Sequence, residues 1–150
     1  MKVGEYCKRA VVAIASSADA AEAAKLMRAE HVGFLVVYRE GDALQRPVGV
    51  LTDRDLVLGV MARDVDPHAL TIDDVMTRQP LVASDADELG DMLQGMRMTG
   101  VRRVPVVDAR GALIGIMAID DAIELITGLM CDIAGSIKSE QRQEWRARVG

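Results

Sequence analysis

Thr52 and Asp55 stand three residues apart at the end of an apolar run, in the stretch Gly49-Val50-Leu51-Thr52-Asp53-Arg54-Asp55. A hydroxyl and a carboxylate at that spacing fit a helix N-terminus, with Thr52 as the cap and Asp55 at the third helical position. Apolar strand, polar break and apolar helix is also the order in which a strand delivers a helix N-terminus to a surface. Its unsatisfied N–H groups and partial positive charge suit anionic ligands. The construction occurs twice. Gly115-Ile116-Met117-Ala118-Ile119-Asp120-Asp121 stands 66 residues further on, and both copies lead into helix-like runs, Leu56-Val57-Leu58 and Ala122-Ile123-Glu124-Leu125-Ile126. Two copies imply two pseudo-equivalent sites, or one divided between them. Catalysis is not indicated. The two histidines, His31 and His68, and the two cysteines, Cys7 and Cys131, make no nucleophile–base pair. No Gly-x-x-x-x-Gly-Lys loop and no Gly-x-Gly-x-x-Gly turn is present. Cys7, His31 and His68 lack zinc-ligand spacing, so no metal is expected.

Composition narrows the class. The 150 residues are 50% hydrophobic and 27% charged, which describes a folded chain of one domain or two halves sharing a core. Aromatics are only 3%, so the core must be aliphatic, with nine methionines as adaptable filler. A formal charge of -5 argues against broad nucleic-acid binding. No run of about 18 apolar residues is present, so no membrane span is expected. The N-terminal residues lack the apolar core of a signal peptide, and a cytoplasmic location is the expectation.

The elements that position the repeated stretch also recur. Val11–Ile14 reads as a strand, Ser16–Asp19 as a helix start, and Ala20–Glu30 as a helix with Ala23, Leu26 and Met27 on one face. Phe34–Tyr38 and Val48–Leu51 read as strands joined by a polar loop, and a helix runs from near Thr52 to about Met61. The second copy has a strand at Leu81–Ala83, a helix striped by Leu89, Met92, Leu93 and Met96, strands at Val101–Val107 and Ala112–Ala118, and a helix from Asp120 to Gly128. Met27 matches Met96, Val32 matches Val101 and Val36 matches Pro105, each 69 residues apart, and the offset falls to 66 only across the hairpin loop. The expected organisation is a first repeat with its N-terminal segment over 1–61, a linker over 62–80, a second repeat over 81–128 and a C-terminal amphipathic helix over 129–150. The expected fold class is α+β. Each repeat is strand-helix-strand-strand-helix, and the two pack through their sheets about a pseudo-two-fold axis.

Pro47–Leu56, Asp74-Val75-Met76-Thr77 and Gly100–Asp108, the last followed closely by Gly115–Asp121, together resemble the CBS domain family. The chain looks like a stand-alone pair of such domains, a Bateman module, over about Val11 to Gly128. The resemblance implies a regulatory ligand-sensing module that binds an adenosine-containing molecule, such as AMP, ADP, ATP or S-adenosylmethionine, between the repeats. It also implies pairing of two modules into a homodimer through the CBS repeats. It names no effector protein.

Residue by residue, the resemblance places Asp55 on the ribose. An ionised carboxylate offers only acceptors, which suits two vicinal hydroxyls. Thr52 would lie near the ribose or α-phosphate. Arg102 and Arg103 would reach the phosphates from the other repeat, with Arg54 a further candidate, since the guanidinium fork binds phosphate bidentately. Ile14, Val32, Val50 and Val101 would sandwich the base. In the second copy Asp121 remains, but Ala118 replaces Thr52, and Gly33 and Phe34 stand where Arg102 and Arg103 stand. One competent site per chain is therefore expected. The alternative is a structural dimerisation or protein-interaction module without a nucleotide. A hidden nucleotide hydrolase would need a carboxylate cluster, and helix capping explains Asp53, Asp55, Asp73 and Asp74 better.

Overall fold

The computed structural model describes residues 1–149. Two compact units are present, Met1–Met117 and a second unit beginning at Ala118. The first contains α1 (Val3–Tyr6), β1 (Ala13–Ala15), α2 (Ala20–Glu30), β2 (Phe34–Tyr38), β3 (Pro47–Thr52) and α3 (Asp53–Gly59). It continues with a 3-10 turn at Met61–Arg63, α4 (Ile72–Val75), β4 (Thr77–Arg78), β5 (Ala83–Ser84), α5 (Leu89–Thr99), β6 (Arg103–Val107) and β7, whose range Leu113–Ala118 ends at the unit boundary. The second unit is α6, Ile119–Val149. The expected α+β class and the strand-helix-strand-strand-helix order of each repeat are both present.

Each repeat builds its own sheet. β1 pairs parallel with β2 through the α2 crossover, with Ile14 opposite Val37, and β5 pairs parallel with β6, with Ala83 opposite Val106. β2 and β3 form an antiparallel hairpin. The strand orders are β1-β2-β3-β4 and β5-β6-β7.

Local chemistry sets the helix ends. Asp19 caps α2 in a reciprocal box with Glu22, whose N–H donates to Asp19 Oδ1 over 2.8 Å. α2 ends in a left-handed residue, His31 (φ 54), and α5 ends at the equivalent Gly100 (φ 70). The first repeat buries Ile14, Ala20, Ala23, Met27, Leu35, Val37, Leu51, Leu56, Val60 and Ile72 in one aliphatic cluster.

Ile72 opens α4 within the stretch 62–80 expected as the linker. It is fully buried, and β4 extends the first sheet with Thr77 opposite Val50. The N-terminal residues do the same for the second sheet. Val3 is fully buried, and Lys8 bridges Ile116. The two arms correspond at the 69-residue offset. Ile72 donates its N–H to Ala18 O (2.8 Å) and Asp73 to Ser16 O (3.1 Å), while Val3 donates to Asp87 O (2.9 Å) and Gly4 to Asp85 O (3.0 Å). Each arm thus precedes one repeat in sequence and joins the sheet of the other.

The arms account for the glycine that opens each copy of the repeated stretch. A Cβ on Gly115 would stand 2.7 Å from the Lys8 carbonyl oxygen and 2.8 Å from Cys7 Sγ. On Gly49 it would meet the Met76 sulfur, the position equivalent to Cys7, and the Thr77 carbonyl at 3.0 Å. The N-terminal arm is also held by Lys2 Nζ, 2.7 Å from Glu88 Oε1, while the Met1 amine lies 2.9 Å from Oε2. Hydrogen bonds from Lys2 first, then from that amine, hold the Glu88 carboxyl at about 2, against an ordinary 4.5.

In the second unit, α6 is one helix where a closing helix to Gly128 and a separate helix from Leu129 were expected. Gly128 and Gly135 are not among the glycines with positive φ, so the helix runs through both, although glycine costs up to about 1 kcal/mol inside a helix.

Gly115→Ala is expected to lower unfolding stability by about 1–3 kcal/mol, because backbone cannot retreat as a flexible side chain can. Gly90→Ala in α5, where a Cβ meets nothing within 4 Å, is expected to raise it by up to about 1 kcal/mol. Urea unfolding of the two variants checks both signs. A depressed carboxyl adds stability above its unfolded value and loses it as pH falls through the folded one. Stability should therefore decline between about pH 4.5 and pH 2 in a component that Glu88→Gln removes, as acid-range urea titrations would show.

Candidate functional site

β3 ends at Thr52, the N-cap of α3, and the predicted reciprocal box forms there. Asp55 N–H donates to Thr52 Oγ1 over 3.1 Å. The Thr52 N–H (2.7 Å) and hydroxyl (2.8 Å) both donate to Asp55 Oδ2. One carboxylate oxygen therefore does the capping. The other, Oδ1, accepts no hydrogen bond from the described residues.

This turn lies on a cleft of about 640 Å³, within the roughly 300–1,000 Å³ usual for small-molecule sites. Thr52, Asp53, Arg54 and Asp55 line it from the first repeat. Thr99, Gly100, Val101, Arg102 and Arg103 line it from the end of α5 and the start of β6. α3 has only seven residues, shorter than the expected run to Met61, so its dipole is a small part of the local field. The guanidiniums of Arg54, Arg102 and Arg103 carry most of the positive charge. Adjacent strand residues face opposite ways, yet both Arg102 and Arg103 reach the cleft. Arg102 sits in the bend before β6, and only Arg103 belongs to the strand.

Of the residues expected at the site, the structure brings together Thr52, Arg54, Asp55, Arg102 and Arg103. Val50 and Val101, two of the four apolar residues expected around the base, also line the cleft. Ile14 does not. It is 8% exposed and belongs to the first repeat's core, against which Val32 also packs. Neither Ile14 nor Val32 is among the residues that line this cleft. Asp121 lies in the second unit, where its Oδ2 accepts the Ala118 N–H over 3.1 Å. It keeps the capping half of the Asp55 arrangement. The hydroxyl half is gone with Ala118.

Several lining residues were not anticipated. Phe34 holds its ring 6.0 Å from the Arg103 guanidinium carbon, at the limit of a cation–π contact. The two occupy equivalent positions of the two repeats, so their meeting reflects the pseudo-symmetry. Gly33 is equivalent to Arg102, and a Cβ there would stand 2.6 Å from Asp53 Oδ2. Thr77, Gln79 and Pro80 come from the arm that joins the first sheet. Gln79 adopts a left-handed φ of 49. Reading 62–80 as a linker hid these three, and the sequence carries no signal for them, because the two arms match only in burial and backbone hydrogen bonds. No cluster of His, Cys, Asp or Glu able to hold a metal occurs among the described residues. No helix among them is long and apolar enough to cross a membrane.

Two repeats, each with a three- or four-stranded sheet and exchanged arms, define a paired-repeat α+β module. A sequence model of the CBS domain matches residues 3–62 and 72–128, and the chain belongs to the CBS domain family. It is 32% identical over 144 residues to an uncharacterized protein of Methanopyrus kandleri, covering 95% of this chain and 71% of that one. The solved structure of a CBS domain protein from Pyrobaculum aerophilum complexed with AMP superposes with a TM-score of 0.73 at 27% identity, over 85% of this chain and 99% of that one. The CBS domain pair of protein MJ0100, in complex with 5-methylthioadenosine and S-adenosyl-L-methionine, shares the fold with a TM-score of 0.71 at 23% identity, over 84% and 99%.

Thr52→Ala removes the cap acceptor of α3 and should cost about 1 kcal/mol, within the roughly 0.5–2 kcal/mol range for N-caps, while Thr52→Ser should stay near wild type. Urea unfolding distinguishes the two variants.

Proposed function

We propose that the protein is a regulatory sensor, not an enzyme, that binds an adenosine-containing nucleotide in the cleft between its repeats. The observation that carries this reading is the convergence of Thr52, Arg54 and Asp55 from one repeat with Arg102 and Arg103 from the other on one cleft of about 640 Å³. That set offers acceptors for a ribose diol beside cations for phosphate. Asp55 Oδ1 takes the ribose hydroxyls, and the Arg102/Arg103 edge, with Arg54 beside it, takes the phosphates. Val50, Val101 and Pro80 supply apolar surface for the base. The AMP complex of the Pyrobaculum aerophilum relative supports the ligand class. AMP, ADP and ATP use all of these groups, whereas S-adenosylmethionine uses the ribose half and leaves the arginines without an anion.

One competent site per chain follows from the differences between the copies. The second lacks the Thr52 hydroxyl at Ala118 and both arginines at Gly33 and Phe34. Binding then acts by favouring one arrangement of paired modules through contacts made only in that arrangement. The homodimer through the CBS repeats belongs to the same proposal.

The test is a thermal-shift screen with AMP, ADP, ATP, S-adenosylmethionine and NAD on wild type, Asp55→Ala and Arg103→Gln. A ligand at 100 times its dissociation constant should stabilise the fold by about 2.7 kcal/mol. Asp55→Ala should lose the shift measured against its own ligand-free baseline. Arg103→Gln should weaken AMP by one to two decades, the equivalent of a lost charged hydrogen bond at roughly 1.5–3 kcal/mol. A folded wild type that responds to none of the five would favour the purely structural module.

A further inference from the structure

The cleft groups matched above to a ribose and a phosphate do not tell one nucleobase from another. Val50, Val101 and Pro80 are apolar, and apolar walls alone reject a polar isostere weakly. Thr99 also lines the cleft, but its hydroxyl donates to Gly95 O of its own helix over 2.8 Å. Gln79 is the lining residue with a carboxamide, which sets a donor and an acceptor side by side in one plane. No hydrogen bond among the described residues engages that carboxamide.

β3 sets the distances. Arg78 pairs opposite Gly49, and the Gln79 N–H donates to Val48 O over 3.4 Å. Val48 precedes Thr52 on β3 by about 13 Å, at roughly 3.3 Å per residue. Val50 stands midway and shares a face of the strand with Thr52. A nucleoside whose ribose meets the Thr52–Asp55 turn can therefore lay its base over Val50 and turn the outer edge of that base to Gln79.

The backbone singles out the same residue. Gln79 holds φ at 49 directly before Pro80. Residues other than glycine adopt that region rarely, and the residue before a proline is ordinarily extended. The equivalent position in the other arm is Ala10, 69 residues earlier, which has neither a carboxamide nor a positive φ. The strained backbone and the carboxamide thus occur together, on the arm that borders the Asp55 cleft. They fall on the same side of the asymmetry as Thr52, Arg102 and Arg103.

We propose that Gln79 selects the base of the nucleotide. Its carboxamide oxygen accepts a hydrogen bond from the exocyclic amino group of adenine, and its NH2 group donates to the neighbouring ring nitrogen N7. Hypoxanthine carries a carbonyl in place of the amino group, so it presents two acceptors on that edge and the carboxamide satisfies only one. This inference rests on the nucleotide reading of the cleft and adds the residue that sets which base is taken.

Isothermal titration calorimetry of the full chain with AMP and inosine monophosphate, on wild type and Gln79→Gly, tests it. Glycine removes the carboxamide and keeps the left-handed backbone without strain. Wild type should bind AMP about tenfold more tightly than inosine monophosphate. Gln79→Gly should lose about tenfold in AMP affinity and bind the two nucleotides within about threefold of each other. An equal loss for both nucleotides marks a structural role and overturns the assignment. So does a wild type that binds both alike, and either result leaves the nucleotide reading standing. A folded wild type that binds neither nucleotide overturns both.

Discussion

Val3 and Ile72 are both fully buried, and each reaches its place through a backbone N–H given to the repeat that does not follow it in sequence. The exchange of arms is the constraint on which the rest depends. A repeat of this size cannot complete a core alone. The first repeat's cluster includes Ile72, which lies beyond its own closing helix. Because the arms cross, neither sheet reaches its full width without chain from the other side. The backbone geometry leaves no slack there. The Lys8 carbonyl oxygen stands 2.7 Å from where a Cβ on Gly115 would be, and the Thr77 carbonyl crowds Gly49 in the same way at 3.0 Å. The glycine at the head of each repeated stretch is thus explained by the arm that lies over it, not by a turn.

The same crossing assembles the cleft. Thr77, Gln79 and Pro80 reach it because β4 pairs with β3, and β3 ends at Thr52. Arg102 and Arg103 reach it because α5 stops at Gly100, whose left-handed φ turns the chain into β6. Two stop signals, one per repeat, therefore set which charges face each other. A site made this way is sensitive to how the repeats sit together, which is the property a sensor needs if ligand is to bias one arrangement over another. Asp55 stands at this junction, since one of its oxygens holds the helix start at the edge of the cleft.

How far the sequence was legible depended on whether a pattern repeated in residue type or only in burial. The strands, the helices and the Thr52–Asp55 box were legible, because alternation, helical spacing and capping residues are local signals. Thr52, Arg54, Asp55, Arg102 and Arg103 were legible as candidates through the family resemblance, and the structure gathers them on one cleft. The arms were not legible. Lys2–Lys8 and Thr71–Thr77 share no residue identities, and the match shows in the burial of Val3 and Ile72 and in the backbone hydrogen bonds of the arms. Ile14 and Val32 could not be sorted from Val50 and Val101, because an apolar residue at a strand end reads the same whether it faces the core or a cleft. The continuity of α6 through Gly128 was hidden for a related reason. Glycine marks helix ends only when it takes a positive φ, and neither Gly128 nor Gly135 does.

The two copies have diverged at the positions where symmetry would otherwise give two equal sites. Gly33 replaces the Arg102 equivalent, and the Asp53 carboxylate occupies the space a side chain there would need. Restoring a cation at position 33 would thus require Asp53 to move, and Asp53 also accepts the Arg54 N–H over 2.8 Å at the first turn of α3. Phe34 has become a platform for Arg103 in place of a second arginine. The ring and the guanidinium come from equivalent positions, so the change removes a like-charge meeting at the pseudo-axis and puts an attraction there. With two arginines at that point, each would raise the cost of the other in the ligand-free state. With one, the ring lies 6.0 Å from the guanidinium at the edge of the cleft. The asymmetry is therefore a physical consequence of building one cationic edge from two equivalent strands that meet.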